Sequence, residues 1–398
     1  SKALSDAYTN FRAEVNGQRL TANAISEVLR DENDSQARRV VWEASKEIGP
    51  RVADRIRRLA ELRNMAAQRM GFANFHRMSL TFDELDADWL YAMLDGLAVK
   101  TEAAYRSAKA ELDAELSARF GVPEGDLMPW HYADPFFQNV PILADYDYDA
   151  LFVGRELEPL AMATYDGLGM DVRDILARSD LYEREGKDQH AFCTDIDREG
   201  DVRILCNLKP KLRWMVTLLH ELGHAVYGKY IPEDLPWLLR TVSHLLTTEA
   251  VAMLMGAETL DAEWHERVLG VDGAEAARAG SAGRRRMRLQ ELIFARWVLV
   301  VVSFERALYE DPSRDLDALW WELVQRYQLL NKPDGREKLP DWATKYHIAL
   351  VPAYYQNYLL GRMMSLQWED WLRKHVGGIV GRRAAGEFFC ERIFAVGN

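Results

Sequence analysis

The sequence predicts a mainly α-helical protein with one short β-hairpin. Residues 22–120 contain long stretches of apolar and charged residues at helical spacing, with almost no glycine or proline to interrupt them. Strand-like sequence is concentrated in residues 189–208. The chain has 398 residues, of which 48% are hydrophobic and 11% aromatic, so it can form a sizeable core and is not mainly disordered.

The first helical part ends in a loop. Asp86 to about Ala118 is predicted as one long helix that begins with an aspartate cap. The loop Gly121–Pro141 collects glycine, proline and aromatic residues, and we expect it to join two helical regions. A further helical stretch is expected over Asp147–Leu168.

The hairpin is predicted from two strand-like segments, Ala191–Thr194 and Val202–Asn207, on either side of the turn sequence Asp-Arg-Glu-Gly. Pro210 suits the first position of a helix, which we expect to run to about Tyr230 and to stop before Pro232. Further helices are expected at 236–256, 284–310, 315–330 and 352–374.

The net charge argues against a nucleic-acid partner. The chain has 50 Lys and Arg residues against 62 Asp and Glu residues, a formal net charge of −12 that repels polyanions. The longest apolar runs, such as Trp297–Val302, are far shorter than the roughly 20 residues that span a bilayer, so we expect no membrane span.

The compartment is only weakly indicated. Residues 1–30 lack the apolar core of a signal peptide, and three cysteines are too few for a disulfide scaffold, so a cytoplasmic location is favoured. A secreted or processed form stays open because the chain starts at Ser1 rather than at a methionine. A bridge between Cys193 and Cys206 also stays open, since both fall on the predicted hairpin.

The most informative string is His220-Glu221-Leu222-Gly223-His224, in the middle of a predicted helix. Positions i and i+4 project from the same helix face, so the two imidazoles can bind one metal ion without distorting the backbone. Glu221 can reach a metal-bound water but is poorly placed to be a ligand. The arrangement is typical of a metalloprotease with two histidine ligands and a glutamate general base.

A catalytic zinc site needs a third protein ligand and one open position. The metzincin spacing fails because tyrosines occupy its glycine and histidine positions. A spacing of about 20 residues leads to His244, which is not a carboxylate. Glu249 stands 25 residues after His224 in an apolar stretch, where an ionised carboxylate is costly unless it binds a cation. We expect one Zn²⁺ per chain on His220, His224 and Glu249, with His244 as the alternative third ligand.

With these residues, the chain resembles the angiotensin-converting-enzyme family of zinc peptidyl-dipeptidases and, more distantly, the thimet-oligopeptidase family. Both carry His-Glu-x-Gly-His followed by Glu about 25 residues on. The resemblance extends from roughly Val41 to the C-terminus and is most specific between His190 and Gln367. It implies an elongated, two-lobed helical metallopeptidase with a deep central cleft and the hairpin beside the zinc helix. It also implies a single catalytic unit over 1–398, in which 1–120 form a lid and wall and 121–398 bind the zinc.

The resemblance also assigns contacts to the substrate backbone. His190 and Ala191 stand where the family has a His-Ala pair on the strand that binds substrate. His347 lies in Lys-Tyr-His-Ile, which matches a family segment whose histidine binds a peptide carbonyl. By the same resemblance, Tyr358 stabilises the oxyanion, a role that suits a hydroxyl donor.

The substrate's C-terminal carboxylate is assigned to two further residues. The lysine of the same segment, Lys345, binds that carboxylate in the family, and Tyr355 matches a tyrosine that helps to hold it. A lysine suits this role because its ammonium is a compact positive charge.

Four positions depart from the family pattern. Met253 replaces an aspartate that orients a zinc-bound histidine, so another group must do so. Asn357 replaces the arginine used in chloride dependence, which makes chloride activation doubtful. One extra residue before the tyrosine pair leaves Tyr354 or Tyr355 as the carboxylate partner. A carboxylate-binding glutamine of the family has no counterpart in Asp147–Gly154.

These residues predict a zinc metallopeptidase that hydrolyses short peptides and releases C-terminal dipeptides. Thimet-type endo-oligopeptidase action is the alternative if the carboxylate site is incomplete. A non-catalytic zinc protein that binds peptides would leave Glu221 without a role, because structural zinc sites are closed by four protein ligands. A zinc hydrolase acting on another amide or ester would have no use for Lys345.

Overall fold

The computed structural model of the chain describes residues 2–142 and 146–398 and confirms a mainly helical fold with two small antiparallel sheets. The chain forms two compact units. The first combines Ser1–Leu143 with Arg288–Gln356, and the second combines Ala144–Met287 with Asn357–Asn398. The sub-domain boundary expected at residue 120 falls at the end of a helix within the first unit.

The helices follow one another along most of the chain. Up to residue 120 they are α1 (Lys2–Asn10), α2 (Ala22–Asp31), α3 (Ser35–Ser45), α4 (Ile48–Arg69), α5 (Phe75–Phe82) and α6 (Ala87–Phe120). The next five are α7 (Leu157–Leu168), α8 (Arg173–Arg178), α9 (Leu212–Lys229), α10 (Leu245–Ala257) and α11 (Ala262–Arg267). The remainder are α12 (Gly273–Glu310), α13 (Leu316–Leu323), α14 (Tyr346–Leu350), α15 (Tyr355–Val376) and α16 (Arg383–Arg392).

Helix α6 confirms the long helix predicted after Asp86. The Asp86 carboxylate accepts a hydrogen bond from the backbone N–H of Trp89 at 2.7 Å, which satisfies one of the free donors of the first turn. Gly121 ends the helix in a left-handed conformation with φ of 66°, which a glycine adopts without steric cost.

Both sheets have two strands. Strands β1 (Ala13–Val15) and β2 (Gln18–Leu20) pair in the first unit, and β3 (Phe192–Asp195) pairs with β4 (Val202–Leu205) in the second. The predicted hairpin is therefore confirmed, although Ala191 precedes the first strand instead of beginning it. Cys193 and Cys206 are free thiols.

Several predicted helix boundaries are wrong. The helix expected at Pro210 begins at Leu212, after Lys211 at its N-cap. The helix expected from residue 236 begins nine residues later, because Trp237–Leu239 form a 3-10 turn and the His244 side chain caps α10. For α10, a turn and a side-chain cap that are invisible in the apolar pattern set the true start.

Other boundaries shift in the same way. Helix α12 begins before the predicted 284–310, and the predicted 315–330 is divided into α13 and a π-helical turn over Val324–Gln328. The stretch expected over Asp147–Leu168 is a 3-10 turn, Asp149–Phe152, followed by α7. The helix expected over 352–374 begins at Tyr355.

The core of the second unit surrounds α9 on its apolar side. Leu218, Leu219 and Leu222 are fully buried there, together with apolar residues from α7, α10 and β4. The Tyr165 hydroxyl also donates to the backbone carbonyl of Leu219 at 2.7 Å. This packing fixes the rotation of α9 about its axis, so the face that carries His220 and His224 has a defined direction.

Among residues 2–142 and 146–398, no helix has both the length and the apolar character required to cross a lipid bilayer.

Candidate metal centre

Two helices of the second unit approach each other closely at a glycine of the histidine motif. A β-carbon on Gly223 of α9 would lie 2.6 Å from the Cα of Ala252 in α10, closer than any side chain tolerates. The absence of a side chain at Gly223 therefore permits direct contact between the two backbones. This contact brings the carboxylate of Glu249 to the imidazoles of α9.

Three potential ligand atoms meet at this contact. The Nε2 atoms of His220 and His224 are 3.2 Å apart, and Oε2 of Glu249 lies 3.6 Å from the first and 3.8 Å from the second. Ligand atoms of a tetrahedral zinc ion with bonds of about 2.1 Å are separated by about 3.4 Å. The donor set therefore fits a zinc ion both in its chemistry and in its spacing.

Glu249, not His244, joins the histidine pair. Among the residues that the structure describes, only His220, His224 and Glu249 form a cluster of metal-binding type. His244 lies at the N-cap of α10, where its Nδ1 accepts a hydrogen bond from the backbone N–H of Leu246 at 3.0 Å. Glu249 is therefore the residue that the fold brings to the histidine pair, and its role as a metal ligand stays a prediction.

Burial keeps both imidazoles in the form that binds metal ions. It lowers the pKa of His220 to about 4, and it lowers the pKa of His224 well below the usual value, with a further contribution from His220. Both rings are therefore neutral at pH 7, as a metal ligand must be. Glu249 is only 2% exposed, so its carboxylate is in an environment that favours a bound cation.

A threonine orients one of the histidines. Nδ1 of His224 lies 2.7 Å from the hydroxyl oxygen of Thr248 in α10. If Nδ1 carries the proton and donates to this hydroxyl, Nε2 is left unprotonated and faces the other two ligand atoms. Thr248 thus provides the orienting contact that the sequence lacks at Met253. The sequence alone gives no signal for this contact, because a threonine next to a glutamate is common in helices.

Glu221 is buried beside the cluster. Burial and the nearby charge of Glu249 raise its pKa to about 8. The pKa of the Cys193 thiol is raised mainly by burial and further by the charge of Glu221. Strand β3, which carries Cys193, therefore lies near Glu221. Once it is ionised, a carboxylate with raised proton affinity is a stronger base towards the proton of a water molecule.

Strand β3 has one edge that β4 does not cover. The backbone N–H of Ile196 donates to the carbonyl of Asp201 at 2.9 Å, just beyond the last ladder pair. Since bonded and non-bonded pairs alternate in an antiparallel ladder, the peptide groups of Cys193 and Asp195 point away from β4. His190 is exposed and directly precedes this strand with Ala191. The structure therefore places both predicted backbone-binding residues at the start of the open edge.

Helix α15 packs against α10 at another glycine. A β-carbon on Gly361 would lie 2.8 Å from Cβ of Glu249. Tyr358 lies three residues earlier, on the same face of α15. The structure thus positions the predicted oxyanion-binding tyrosine on the face that contacts α10.

A second group of predicted residues meets in the first unit. The Lys345 ammonium donates to Oε1 of Gln138 at 3.0 Å, and the Tyr355 hydroxyl donates to the same oxygen at 3.2 Å. The indole N–H of Trp297 donates to the Tyr355 hydroxyl at 2.9 Å. Of the two tyrosines left open by the sequence, Tyr355 is therefore the one that adjoins Lys345 through Gln138.

Gln138 is a second functional candidate, after Thr248, that could not be identified from the sequence. Asp147–Gly154, where the resemblance implies a carboxylate-binding glutamine, contains none, whereas Gln138 lies earlier in the chain, in the loop Gly121–Pro141. The unusual density of aromatic and polar residues in that loop is the only sequence signal that pointed to it. We refer to Gln138, Lys345 and Tyr355 together as the carboxylate triad, a name that refers to the substrate carboxylate we propose below that they bind.

Lys345 and Tyr355 of the carboxylate triad are buried, and Gln138 is half-buried. Burial lowers the pKa of Lys345 to about 8, while the negative charge of Asp134 acts in the opposite direction. His347 lies on α14 and is also buried, with its ring centroid 5.1 Å from that of Tyr355. Its assigned contact with a peptide carbonyl stays a prediction.

No protein-family model matches the chain, and a search of curated proteins finds no match to it. The family that the motifs resemble therefore stays a prediction.

Proposed function

We propose that this protein is a zinc metallopeptidase that releases dipeptides from the C-terminus of short peptides. The observation that carries the proposal is the convergence of His220, His224 and Glu249 at 3.2–3.8 Å, with Glu221 buried beside them. The spacing of two imidazoles and one carboxylate is that of a catalytic zinc site, which keeps its fourth position open.

The three ligands would hold one zinc ion, which supplies Lewis-acid chemistry to the peptide carbonyl and lowers the pKa of a nearby water. Glu221 accepts the proton of the attacking water and passes it to the leaving amine. The Tyr358 hydroxyl donates a hydrogen bond to the oxyanion as the carbonyl carbon becomes tetrahedral. Each step uses a group that the sequence motif or the packing of α15 on α10 supplies.

The substrate would bind in an extended conformation. Its backbone pairs with the open edge of β3 through the peptide groups of Cys193 and Asp195, as an added strand does. The ammonium of Lys345 and the hydroxyl of Tyr355 bind its C-terminal carboxylate, and the amide of Gln138 contributes a further donor. The proposal includes the two-lobed arrangement with a deep central cleft that the resemblance implies.

The test uses zinc-loaded protein and one internally quenched peptide of about eight residues, synthesised as the free acid and as the C-terminal amide. We expect loss of a dipeptide from the free acid and little cleavage of the amide, with products identified by mass. Internal cleavage of both forms at similar rates would instead indicate an endo-oligopeptidase and would leave Lys345 without its assigned role.

The matched control is Glu221→Gln, which keeps the size and hydrogen-bonding shape of the side chain. We expect it to bind zinc normally and to lose cleavage by several orders of magnitude, because the amide cannot accept the proton. Substantial residual turnover in this variant would contradict the general-base role.

A further inference from the structure

The loop that carries Gln138 is built around one buried aspartate. Oδ1 of Asp134 accepts a hydrogen bond from the backbone N–H of Phe136 at 2.9 Å. Oδ2 accepts from the backbone N–H of Gln138 at 3.1 Å and from that of Asn139 at 3.0 Å. Both carboxylate oxygens are therefore occupied by the loop, and one of them bonds directly to the peptide of the triad glutamine.

This turn has an unusual backbone that the aspartate helps to maintain. Phe137 adopts a left-handed conformation with φ of 51°, which is unfavourable for an aromatic residue. The side-chain amide of Gln328 donates to the carbonyls of Phe136 and Phe137 at 2.9 and 2.8 Å, and so binds the turn from its other side. The side chain of Gln138 leaves the turn in a direction that these contacts define.

Asp134 also acts on the triad through its charge. It is 5% exposed, and burial raises its pKa while the loop N–H groups and Lys345 oppose that rise. Conversely, burial lowers the pKa of Lys345, and the negative charge of Asp134 opposes this effect and favours the charged ammonium form. Lys46, a second buried lysine near this loop, donates to the carbonyl of Pro135 at 2.7 Å.

We propose that Asp134 is the positioning residue of the carboxylate triad: it orients Gln138 through the turn and supplies the negative charge that balances Lys345. The inference rests on the proposed function, because it assumes that the triad binds the C-terminal carboxylate of a peptide. It assigns Asp134 no contact with substrate. Its effect reaches the substrate only through the glutamine and the lysine.

The experiment compares wild type with Asp134→Asn on the free-acid and amide forms of the quenched peptide. The asparagine amide keeps the size of the side chain but loses the charge and presents N–H groups to backbone donors. We expect kcat/KM for the free acid to fall about tenfold or more, mainly through KM, because the turn would hold Gln138 less firmly and Lys345 would lose a nearby negative charge. We expect cleavage of the amide to change little.

Asn139→Ala is the matched control. It removes the side-chain amide that also donates to Oδ2 of Asp134, at 3.2 Å, but leaves the carboxylate and the Gln138 contact in place. We expect it to retain the preference for the free acid. Asp134→Glu keeps the charge, and we expect it to recover part of the preference that Asp134→Asn loses.

The outcomes separate the inference from the proposed function. A wild-type preference for the free acid that Asp134→Asn retains would overturn the inference alone. A parallel loss on both substrates would show a merely structural role for Asp134 and would also overturn it. Equal cleavage of both forms by wild type would overturn the inference together with the carboxylate assignment.

If Asp134→Asn does not fold, Asp134→Ser takes its place, since a serine hydroxyl can still cap the turn and carries no charge. Binding of the dipeptide glycyl-phenylalanine to Glu221→Gln protein, measured by calorimetry, provides a readout that does not need turnover. We expect the double variant, in which Glu221→Gln is combined with the Asp134 substitution that folds, to bind the dipeptide about tenfold more weakly than Glu221→Gln alone. Unchanged dipeptide affinity would overturn the inference.

Discussion

At the scale of single residues, the buried acid Glu305 predicts a dependence of stability on pH. Glu305 lies on α12 among fully buried valines, with Oε1 accepting a hydrogen bond from the backbone N–H of Ala353 at 3.2 Å. Burial raises its pKa from 4.5 to about 8, against smaller opposing effects of Ala353 and Arg63. Between these values the folded chain holds a proton that the unfolded chain has released, so this group makes the protein less stable as the pH rises.

We therefore expect Glu305→Gln to be more stable than wild type at pH 8 and nearly equal to it at pH 4.5. The difference should reach roughly 1 to 4 kcal/mol, because one pKa unit corresponds to about 1.4 kcal/mol. The measurement is the free energy of urea unfolding at several pH values, taken as the difference between variant and wild type so that other titrating groups cancel. A difference that does not vary with pH would contradict the raised pKa.

At the scale of elements, close helix contacts bring together the residues of the candidate metal centre. Gly223 lets the backbones of α9 and α10 touch, and Gly361 does the same for α10 and α15. A side chain at Gly223 would separate α9 from α10, and one at Gly361 would separate α10 from α15, so the residues proposed as ligands and catalytic groups would move apart. The glycine of the histidine motif, Gly223, therefore has a packing role that does not depend on any metal chemistry.

We expect Gly223→Ala to weaken zinc binding about tenfold or more, as displaced supporting contacts do at metal sites. The added methyl group must move α10 away from α9, and Glu249 moves with α10. Zinc affinity is measured by competition with a chromogenic chelator. Gly96→Ala is the control, because Gly96 lies within α6 and a β-carbon there meets nothing within 4 Å. Unchanged zinc affinity in Gly223→Ala would show that the helices can adjust.

At the scale of the whole molecule, a metal bound across two helices should stabilise the fold. A ligand that binds only the folded state adds stability that grows with its concentration, about 4 kcal/mol at a thousand times its dissociation constant. We expect removal of zinc by a chelator to lower the melting temperature and added zinc to restore it. His224→Ala should remove this zinc dependence. A melting temperature that is equal with and without zinc would contradict the proposed centre.

The two candidate groups differ in how far the sequence could predict them. His220 and His224 are one helical turn apart, so ordinary helix geometry brings them together as soon as α9 forms. Glu249 lies on the next helix, α10, and its apolar sequence neighbours already indicated that an ionised carboxylate there would be costly unless it binds a cation. In contrast, Gln138 is 207 residues from Lys345 and 217 residues from Tyr355 along the chain. No local periodicity could connect residues at such separations.

The sequence by itself determined the helical fold class, the hairpin and the two histidines on one helix face. These features depend on apolar spacing, turn residues and the helical repeat, which act over a few residues. Only the tertiary structure decided that α10 begins at Leu245, that Thr248 orients His224, and that Gln138 joins Lys345 and Tyr355. Those outcomes depend on which backbones can approach and which buried polar groups must find partners, and such constraints exist only once distant segments are packed together.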